Sequence, residues 1–486
     1  MSNPGQTITQ RDGGLGLSGT PGTRFLFVGC SSGGSAGLST HTSSTSLQTA
    51  QGGGPLVVAG SWSLDGANKE KGKSGPPIDV LKVAGSVAAS NSAITKSGSG
   101  PTVTVSGNAN CFYSAIVTPV VGGVLGTGTF KYSLDGGQFY SEVLTIPTGG
   151  TYVIPNSGLT LTFPAGTYVA AETYTFTTIP ATYNLSDLTA AWPTLMAAYD
   201  RWPVIVFTGH SATASAAAVL SAGIDVLCAQ LVNGMRYPRV LMSTGEDVEA
   251  TILSAFASVQ TNLIAHFASK VPLKLFKASQ GWGNPTLPFV YEAARRASMV
   301  GLGTNPAWVG LKDPNLYRVG VPVYDATKSG SALYDAKINA PCTYPGRAVN
   351  GKPLVYSTGF LLKSAPGSDF KHFQWGRVLD EISDAVQLRQ QEWVNGNLEV
   401  MTDGTGRILP EAAKDLEQTV LGDIKRRIVN VVRDDGKRGW TSGVPKYEVD
   451  RTVDILTTGL LKSGSKAVPL ANTEQVATEI GFATQI

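Results

Sequence analysis

Apolar and polar positions along this chain change texture four times, and each texture predicts a different kind of element. TRFLFVGCSSGG contains an unbroken apolar run, Phe25 to Val28, closed by glycine, which reads as a buried strand. After a Ser/Thr/Gly-rich segment from Ser31 to Gly54, PLVVAGSW and then IDVLKV, Ile78 to Val83, read as two further apolar strands. From about Ser97 to Thr178 the runs shorten and alternate: PTVTVSGNA, GTFKYSLDGGQFYSEVLTI, TYVIPNSGLTLTFPAGTYVAAETYTFTTI. That pattern predicts an all-β, sandwich-like module, with the Asp-Gly-Gly of KYSLDGGQFY as a hairpin turn.

Near Asn184 regular βα alternation begins. VIVFTG (Val204 to Gly209) predicts a strand and TASAAAVLSAGIDVLCAQLVN a helix; RVLMS a strand and STGEDVEATILSAFASVQTNLIAHFA one helix opened by Thr244 with Asp247 three residues on. PLKLFKA and LPFVYEAARRASMVGL complete the series, which predicts an open α/β sheet covered on both faces. YRVGVPVYD and GKPLVYSTGF read as loops and strands, followed by two long helices. The first places Phe373, Val378, Leu379, Ile382, Val386 and Trp393 on one stripe and stops at Asn395 and Gly396. The second, LPEAAKDLEQTVLGDIKRRIVNVV, has Pro410 and Glu411 in its first turn and Lys425, Arg426 and Arg427 toward its end, as the helix dipole favours.

Beyond them, Tyr447, Val449, Arg451, Val453 and Ile455 alternate with Glu448, Asp450, Thr452 and Asp454, the period of a strand with one buried face. The tail spaces Val468, Leu470, Val476, Ile480, Phe482 and Ile486 through polar residues, and the first twenty residues offer only Ile8, Leu15 and Leu17 for burial. The fold class expected is therefore multi-domain, α/β and α+β: an N-terminal arm (1–20), a first part of an α/β domain (21–96), an inserted β-sandwich-like module (97–180), the βα repeats (181–345), a C-terminal α+β assembly domain (346–466) and a C-terminal arm (467–486).

Composition narrows the function. A chain of 486 residues is long enough for about three domains. With 38 basic against 35 acidic residues and 15% charged, it has no nucleic-acid footprint. Four cysteines, Cys30, Cys111, Cys228 and Cys342, lie far apart, against a disulfide framework or zinc site. The N-terminus lacks the layout of a secretion signal, no uncharged apolar run approaches the roughly 18 residues of a membrane span, and a cytosolic protein is expected.

No catalytic, cofactor or metal site emerges. VGCSSGGSAG lacks the lysine of a phosphate loop and the GxGxxG spacing, and FTGHSATAS, with His210 beside Ser211, lacks the second glycine of a nucleophile elbow; a helix capped by Ser211 or Thr213 explains it. His41, His210, His266 and His372 are never paired at helical spacing, and His266 reads as a packing residue. The acidic pairs Asp247 with Glu249, Asp380 with Glu381 and Asp434 with Asp435 read as solvated charge. The runs Lys425 to Arg427 and Asp434 to Arg438 read as a charged interaction surface.

Unpaired strands at both ends suggest assembly by strand addition. Here the sequence resembles the tail sheath proteins of contractile-tailed phages and related contractile injection systems. The resemblance is carried by GTPGTRFLFVGCSSGGSAGLST, by FQWGRVLDEISDAVQLRQQEWVNGN with Arg377, Trp393 and Asn397, and by YEVDRTVDILTTGLL followed by KAVPLANTEQVATEIGF. YVIPNSGLTLTFPAGTYVAAETYTF is also similar to a β module of some phage sheaths, one that many sheaths lack or replace.

The resemblance implies a non-enzymatic subunit without cofactor, whose partners are other copies of itself in a helical array of six-fold rings, the tail tube protein, and the baseplate and tail terminator proteins. It implies a virion tail assembled in the bacterial host cytoplasm. Residues 447 to 458 would receive strands donated by residues 2 to 20 and 467 to 486 of neighbours. The long C-terminal helices would face the tube, with Lys414, Asp415, Glu417, Lys425, Arg426 and, beyond them, Asp434 to Arg438 making a breakable polar contact. Two other readings compete. A carbohydrate-binding or hydrolytic tail component could use Tyr132, Phe139 and Tyr140 as an aromatic platform, and a capsid-like lattice protein would also use extended arms.

Overall fold

The computed structural model describes the chain except for residues 1–23, 67–75, 273–285, 308–331, 394–401, 471–486 and scattered loop positions, 434 and 435 among them. Its first elements are β1 (Phe25–Gly29), β2 (Gly37–His41), α1 (Ser44–Gln51), α2 (Pro55–Gly66) and β3 (Ile78–Lys82). Nine strands follow: β4 (Ser90–Asn91), β5 (Thr95–Ser97), β6 (Thr104–Ser106), β7 (Ser114–Val121), β8 (Thr129–Ser133), β9 (Leu144–Thr145), β10 (Thr151–Ile154), β11 (Leu159–Thr162) and β12 (Thr173–Ile179). Next come α3 (Leu185–Ala197), β13 (Val204–Phe207), α4 (Ala214–Asn233), β14 (Arg239–Ser243), α5 (Glu249–Ala255) and β15 (Ile264–Phe267). After β16 (Lys270–Pro272), β17 (Thr286–Pro288), α6 (Phe289–Met299), α7 (Ala332–Asp335), β18 (Pro341–Val349) and β19 (Lys352–Ser357), the last part holds α8 (Phe373–Gln391), α9 (Pro410–Ile424), β20 (Lys446–Val449), α10 (Ile455–Thr458) and β21 (Ser463–Lys466).

A six-stranded sheet in the order β15-β14-β13-β1-β3-β2 organises the first core. All its pairings are parallel except β2 with β3, so five strands have the buried, near-continuous apolar sequences of a covered parallel sheet. The pleat of β1 divides two cores: Phe25 and Phe27 join α2 and α6 on one face, Leu26 and Val28 join α3, α4 and α5 on the other. The most apolar helix, α4, carries one charge, Asp225, and sets Ala217, Leu220, Ile224, Leu227 and Leu231 against the sheet.

The structure corrects the reading at several elements. PLVVAGSW forms α2, not a strand: Pro55 occupies its first turn, the Val58 N–H donates to Gly54 O at 3.0 Å, and burial of Leu56, Val57, Val58, Ala59 and Trp62 on all sides erases any helical period. The long helix expected from Thr244 stops at Ala255 and is not capped by Thr244; Val248 precedes its first turn, and Thr261 Oγ1, accepting from Leu263 N–H at 3.1 Å, introduces β15. His266 therefore lies on a strand. Thr213 does stand at the N-cap of α4, though its side chain does not cap the helix.

The β segment holds the three-stranded sheet β10-β11-β6 and a larger sheet, β4-β12-β7-β8-β9, in which β5 also pairs with β12. The Gly-Gly of KYSLDGGQFY does not close a tight hairpin. Gly136 N–H turns back to Ser114 O on β7 at 2.7 Å and Gly137 N–H to Ser133 Oγ at 2.9 Å, so β8 meets β9 through a longer loop. Tyr132 packs on Tyr152 and Tyr140 lies beneath the Lys131 ammonium, so they do not form one platform; Phe139 is outside the described residues. Phe130, Phe163, Tyr168 and Tyr174 belong to the same cluster as α2 and α6, and Cys111 adjoins Tyr291, so the β segment and the α/β sheet share a core. Of the expected elements, YRVGVPVYD, most of PLKLFKA and the helix stop at Asn395 and Gly396 lie outside the described residues.

Candidate assembly interface

The last core is built by α8, α9 and the β20–β21 hairpin around Val378, Ile382, Ala413, Val420, Ile424, Trp440, Tyr447 and Val449. α9 passes into a π-helical turn, Lys425–Val429. The hairpin is antiparallel, with Lys446 opposite Lys466 and Val449 opposite Ser463. Tyr447 and Val449 face the helices, and the Gln390 amide of α8 donates to both Tyr447 Oη (2.8 Å) and Ser463 Oγ (2.7 Å), fastening the two strands with one side chain. Gln390→Ala should cost about 1–2 kcal/mol, two modest hydrogen bonds, and speed amide hydrogen exchange in β20 and β21 while leaving the six-stranded sheet protected.

The expected strand across residues 447 to 458 is half right. Tyr447 and Val449 lie on β20, but Arg451, Val453 and Ile455 do not. Asp450 Oδ1 accepts from Thr452 N–H (2.9 Å) and Oγ1 (2.6 Å), turning the chain, and Asp454 caps α10 through Thr457 N–H at 3.1 Å. Side-chain to backbone bonds of this kind compete with a ladder, and here they end it. Within the chain β20 pairs with β21. Of the expected donor residues, Val468 is exposed and Leu470 is fastened by the Trp375 indole N–H on its carbonyl (3.0 Å); Ile8, Leu15, Leu17, Val476, Ile480 and Phe482 lie outside the described residues.

The charged positions separate into free and engaged. Lys414, Asp415 and Arg438 are exposed, and Arg426 is exposed beside Asp423, with Lys425 half-buried. Glu417 is engaged within the chain: its Oε1 accepts from Val449 N–H at 3.0 Å and its carboxylate pairs with Arg451 at 3.1 Å. Asp434 and Asp435 are outside the described residues.

Asp380 and Glu381 are not solvated charge, as the sequence reading held. Both are buried at the seam between α8 and the six-stranded sheet. Arg239 of β14 grips Asp380 bidentately (2.6 and 2.5 Å), while Arg201 spans Glu381 and Asp384 (2.9 Å each) and Arg427 of the π turn reaches the same two carboxylates at 3.2 and 2.7 Å. Burial pushes the Asp380 carboxyl up, against the pull of Arg239. Gly376 in the first turn of α8 makes room, since a Cβ there would come within 2.6 Å of Arg239 Nε. These buried ion pairs are what the sequence reading missed. Their signal was an acidic run on a helix whose apolar stripe is narrow.

The crevice where open α/β sheets bind ligands, between the ends of β1 and β13, is filled by the chain itself. A Cβ on Gly29 would strike Thr208 and one on Gly209 would strike Pro55. In the loop after β1 the Ser32 and Gly33 amides are taken by Gly53 O and Gln51 O, while Gly33 and Gly34 turn their carbonyls to the Lys82 ammonium (2.6 and 2.8 Å). Such a loop presents the wrong polarity to a phosphate. His266 is buried with Nε2 2.7 Å from Ser221 Oγ and its ring edge-on to Phe256, and no group of three or more potential metal ligands occurs among the described residues.

The sequence matches no family profile and no curated protein. Among solved structures, it aligns end to end with a chain of the anti-feeding prophage (AFP) baseplate in its contracted state, over 100% of both chains at 12% identity, with a TM-score of 0.50. The two chains share a fold. The resemblance to contractile-tail proteins is thus one of structure along the whole length. Two looser likenesses are to the sheath tail protein Lin1278 of Listeria innocua (11% identity, 93% of this chain and 96% of that one, TM-score 0.45) and to the six-fold symmetrised AFP baseplate (12%, 61% and 72%, TM-score 0.39).

Proposed function

We propose that the chain is the structural subunit of a contractile tail sheath, polymerising helically around a tail tube and contracting to drive it through a host envelope. The observation that carries this reading is the end-to-end fold likeness to a component of a contractile apparatus. A short hairpin with an exposed side, followed by a long segment beyond Leu470, agrees with subunits joined by strand addition. In such an array the partners are further copies of the chain in six-fold rings, a tube protein, and baseplate and terminator proteins, and the location is the tail of a virion or related particle assembled in the host cytoplasm. The segments 21–96, 97–180, 181–345 and 346–466 act as its domains, with 1–20 and 467–486 as arms. Lys414, Asp415, Lys425, Arg426 and Arg438 are the tube-facing groups, and Glu417 leaves that set because it is bound within the chain.

The test is negative-stain microscopy of the concentrated full chain beside a version lacking residues 1–20. The expected result is hollow striated tubes or rings from the full chain and their loss on truncation. Monodisperse particles from both would remove the reading.

A further inference from the structure

Helix α4 turns to solvent a face without the charge such a face normally carries. Val219 and Val226, two turns apart, are 67% and 66% exposed, Ala222 and Ala229 are exposed beside them, and Asp225 is the only charged residue in the helix. Between this helix and residues 255–261, which follow α5, runs a groove of about 460 Å³, within the roughly 300–1,000 Å³ of ligand pockets. Ala218, Val219, Ala222, Ala255 and Val259 supply its apolar walls, and Asp225 is the one charged residue that lines it.

The carboxylate is held in place yet only half used. Thr261 Oγ1 donates to Asp225 Oδ1 and accepts the Leu263 N–H at 3.1 Å, which pins one carboxylate oxygen. Asp225 Oδ2 takes no hydrogen bond, and no lysine or arginine pairs with it among the described residues. A fixed anion in an otherwise uncharged groove selects a cation, and apolar walls select an aliphatic stem behind that cation.

A second polar group lies at the floor. Ser221 is 1% exposed, with Oγ 2.7 Å from His266 Nε2, and His266 Nδ1 has no hydrogen-bond partner. A buried nitrogen left unpaired costs less as a lone pair than as an N–H, so the ring proton belongs on Nε2, donating to Ser221 Oγ. Ser221 makes no other hydrogen bond among the described residues, and its hydroxyl proton is left for an acceptor in the groove. A donor at 221 and an acceptor at 225, one helical turn apart, suit a lysine residue whose backbone carbonyl meets the first and whose ammonium meets the second.

We propose that the groove between α4 and residues 255–261 receives a lysine side chain from a segment of another protein, with Asp225 taking the ammonium and Ser221 the adjoining carbonyl. The exposed apolar face continues past the groove to Val226 and Ala229, which flanking residues of a protein segment would cover and a free alkylamine would leave in water.

The experiment is methyl NMR of the full chain with labelled valines, titrated with the peptide Ac-Ala-Val-Lys-Val-Ala-NH2, its norleucine counterpart and n-pentylammonium chloride. The lysine peptide is expected to move the Val219, Val226 and Val259 signals along one saturable curve, and the norleucine peptide to bind about fivefold or more weakly. Pentylammonium is expected to bind more weakly than the lysine peptide, moving Val219 and Val259 but not Val226. Asp225→Asn keeps an Oδ1 acceptor for Thr261 and is expected to bring the two peptides within about twofold of each other. Ala222→Trp fills the groove from its exposed wall and is expected to abolish binding of both, with an unchanged unfolding midpoint showing that the fold is kept. Equal affinity of wild type for the two peptides, or a preference that survives Asp225→Asn, overturns the cation site. Pentylammonium binding as tightly as the lysine peptide overturns the protein-segment occupant, and the absence of any saturable shift overturns the whole proposal.

Discussion

Arg239→Ala is expected to destabilise the protein by about 3–5 kcal/mol, the usual cost of stranding one buried partner of an ion pair. Asp380 is 8% and Arg239 4% exposed at the side chain, so removing the guanidinium leaves a carboxylate with little water to replace it. Arg201 and Arg377 also act on Asp380 from nearby, but Arg239 makes its bidentate contact, and Arg201 and Arg427 are held by Glu381 and Asp384. The check is denaturant unfolding followed by probes in both the six-stranded sheet and α8. The double variant Arg239→Met with Asp380→Leu should recover a large part of the loss, since an apolar pair carries no desolvation penalty. A single-variant loss below about 1 kcal/mol would mean the pair is not what joins α8 to the sheet.

The second large effect is acid destabilisation through His266. Burial, with Lys363 and His210 adding positive charge nearby, pushes this imidazole down to about 3 from its ordinary 6.5. Its ring neighbours, the Ser221 hydroxyl 2.7 Å from Nε2 and the edge-on Phe256 ring, are neutral and supply no counter-charge. The folded state therefore keeps His266 neutral where the unfolded chain protonates it. The stability it contributes is fully present above pH 6.5 and is lost as pH falls toward 3, at about 1.4 kcal/mol per unit. Unfolding free energies measured between pH 7 and 4 should fall more steeply for wild type than for His266→Gln, which has no proton to bind. Parallel slopes would place the acid sensitivity elsewhere.

Where one period dominated, the sequence was legible. Phe25 to Val28, Val204 to Phe207, and the helices at Ala214 and Phe373 are built from runs whose burial and period agree. It misled where burial was complete. PLVVAGSW is apolar all round, so neither a strand nor a helix period survives in it, and the NLIAHF segment looked like the end of a helix because only Thr261 marks the break. Beyond β20 Val453 and Ile455 continued the alternation of Tyr447 and Val449, yet two aspartates capturing local amides overrode it. The ion pairs of Asp380 and Glu381 were out of reach because their partners, Arg201 and Arg239, are far away in sequence and only the fold brings them to α8.

The core shared between the β segment and the six-stranded sheet has a mechanical consequence. Phe130, Phe163 and Tyr174 are continuous in packing with Val57, Val58 and Tyr291, so the β segment is not a pendant on a swivel. Close-packed interiors have low compressibility and pass strain on. A push on the outer strands is delivered as torque to α2 and α6, and through them to the strands of the central sheet. A lever of this stiffness turns the six-stranded sheet together with the β segment when the outer strands are pulled.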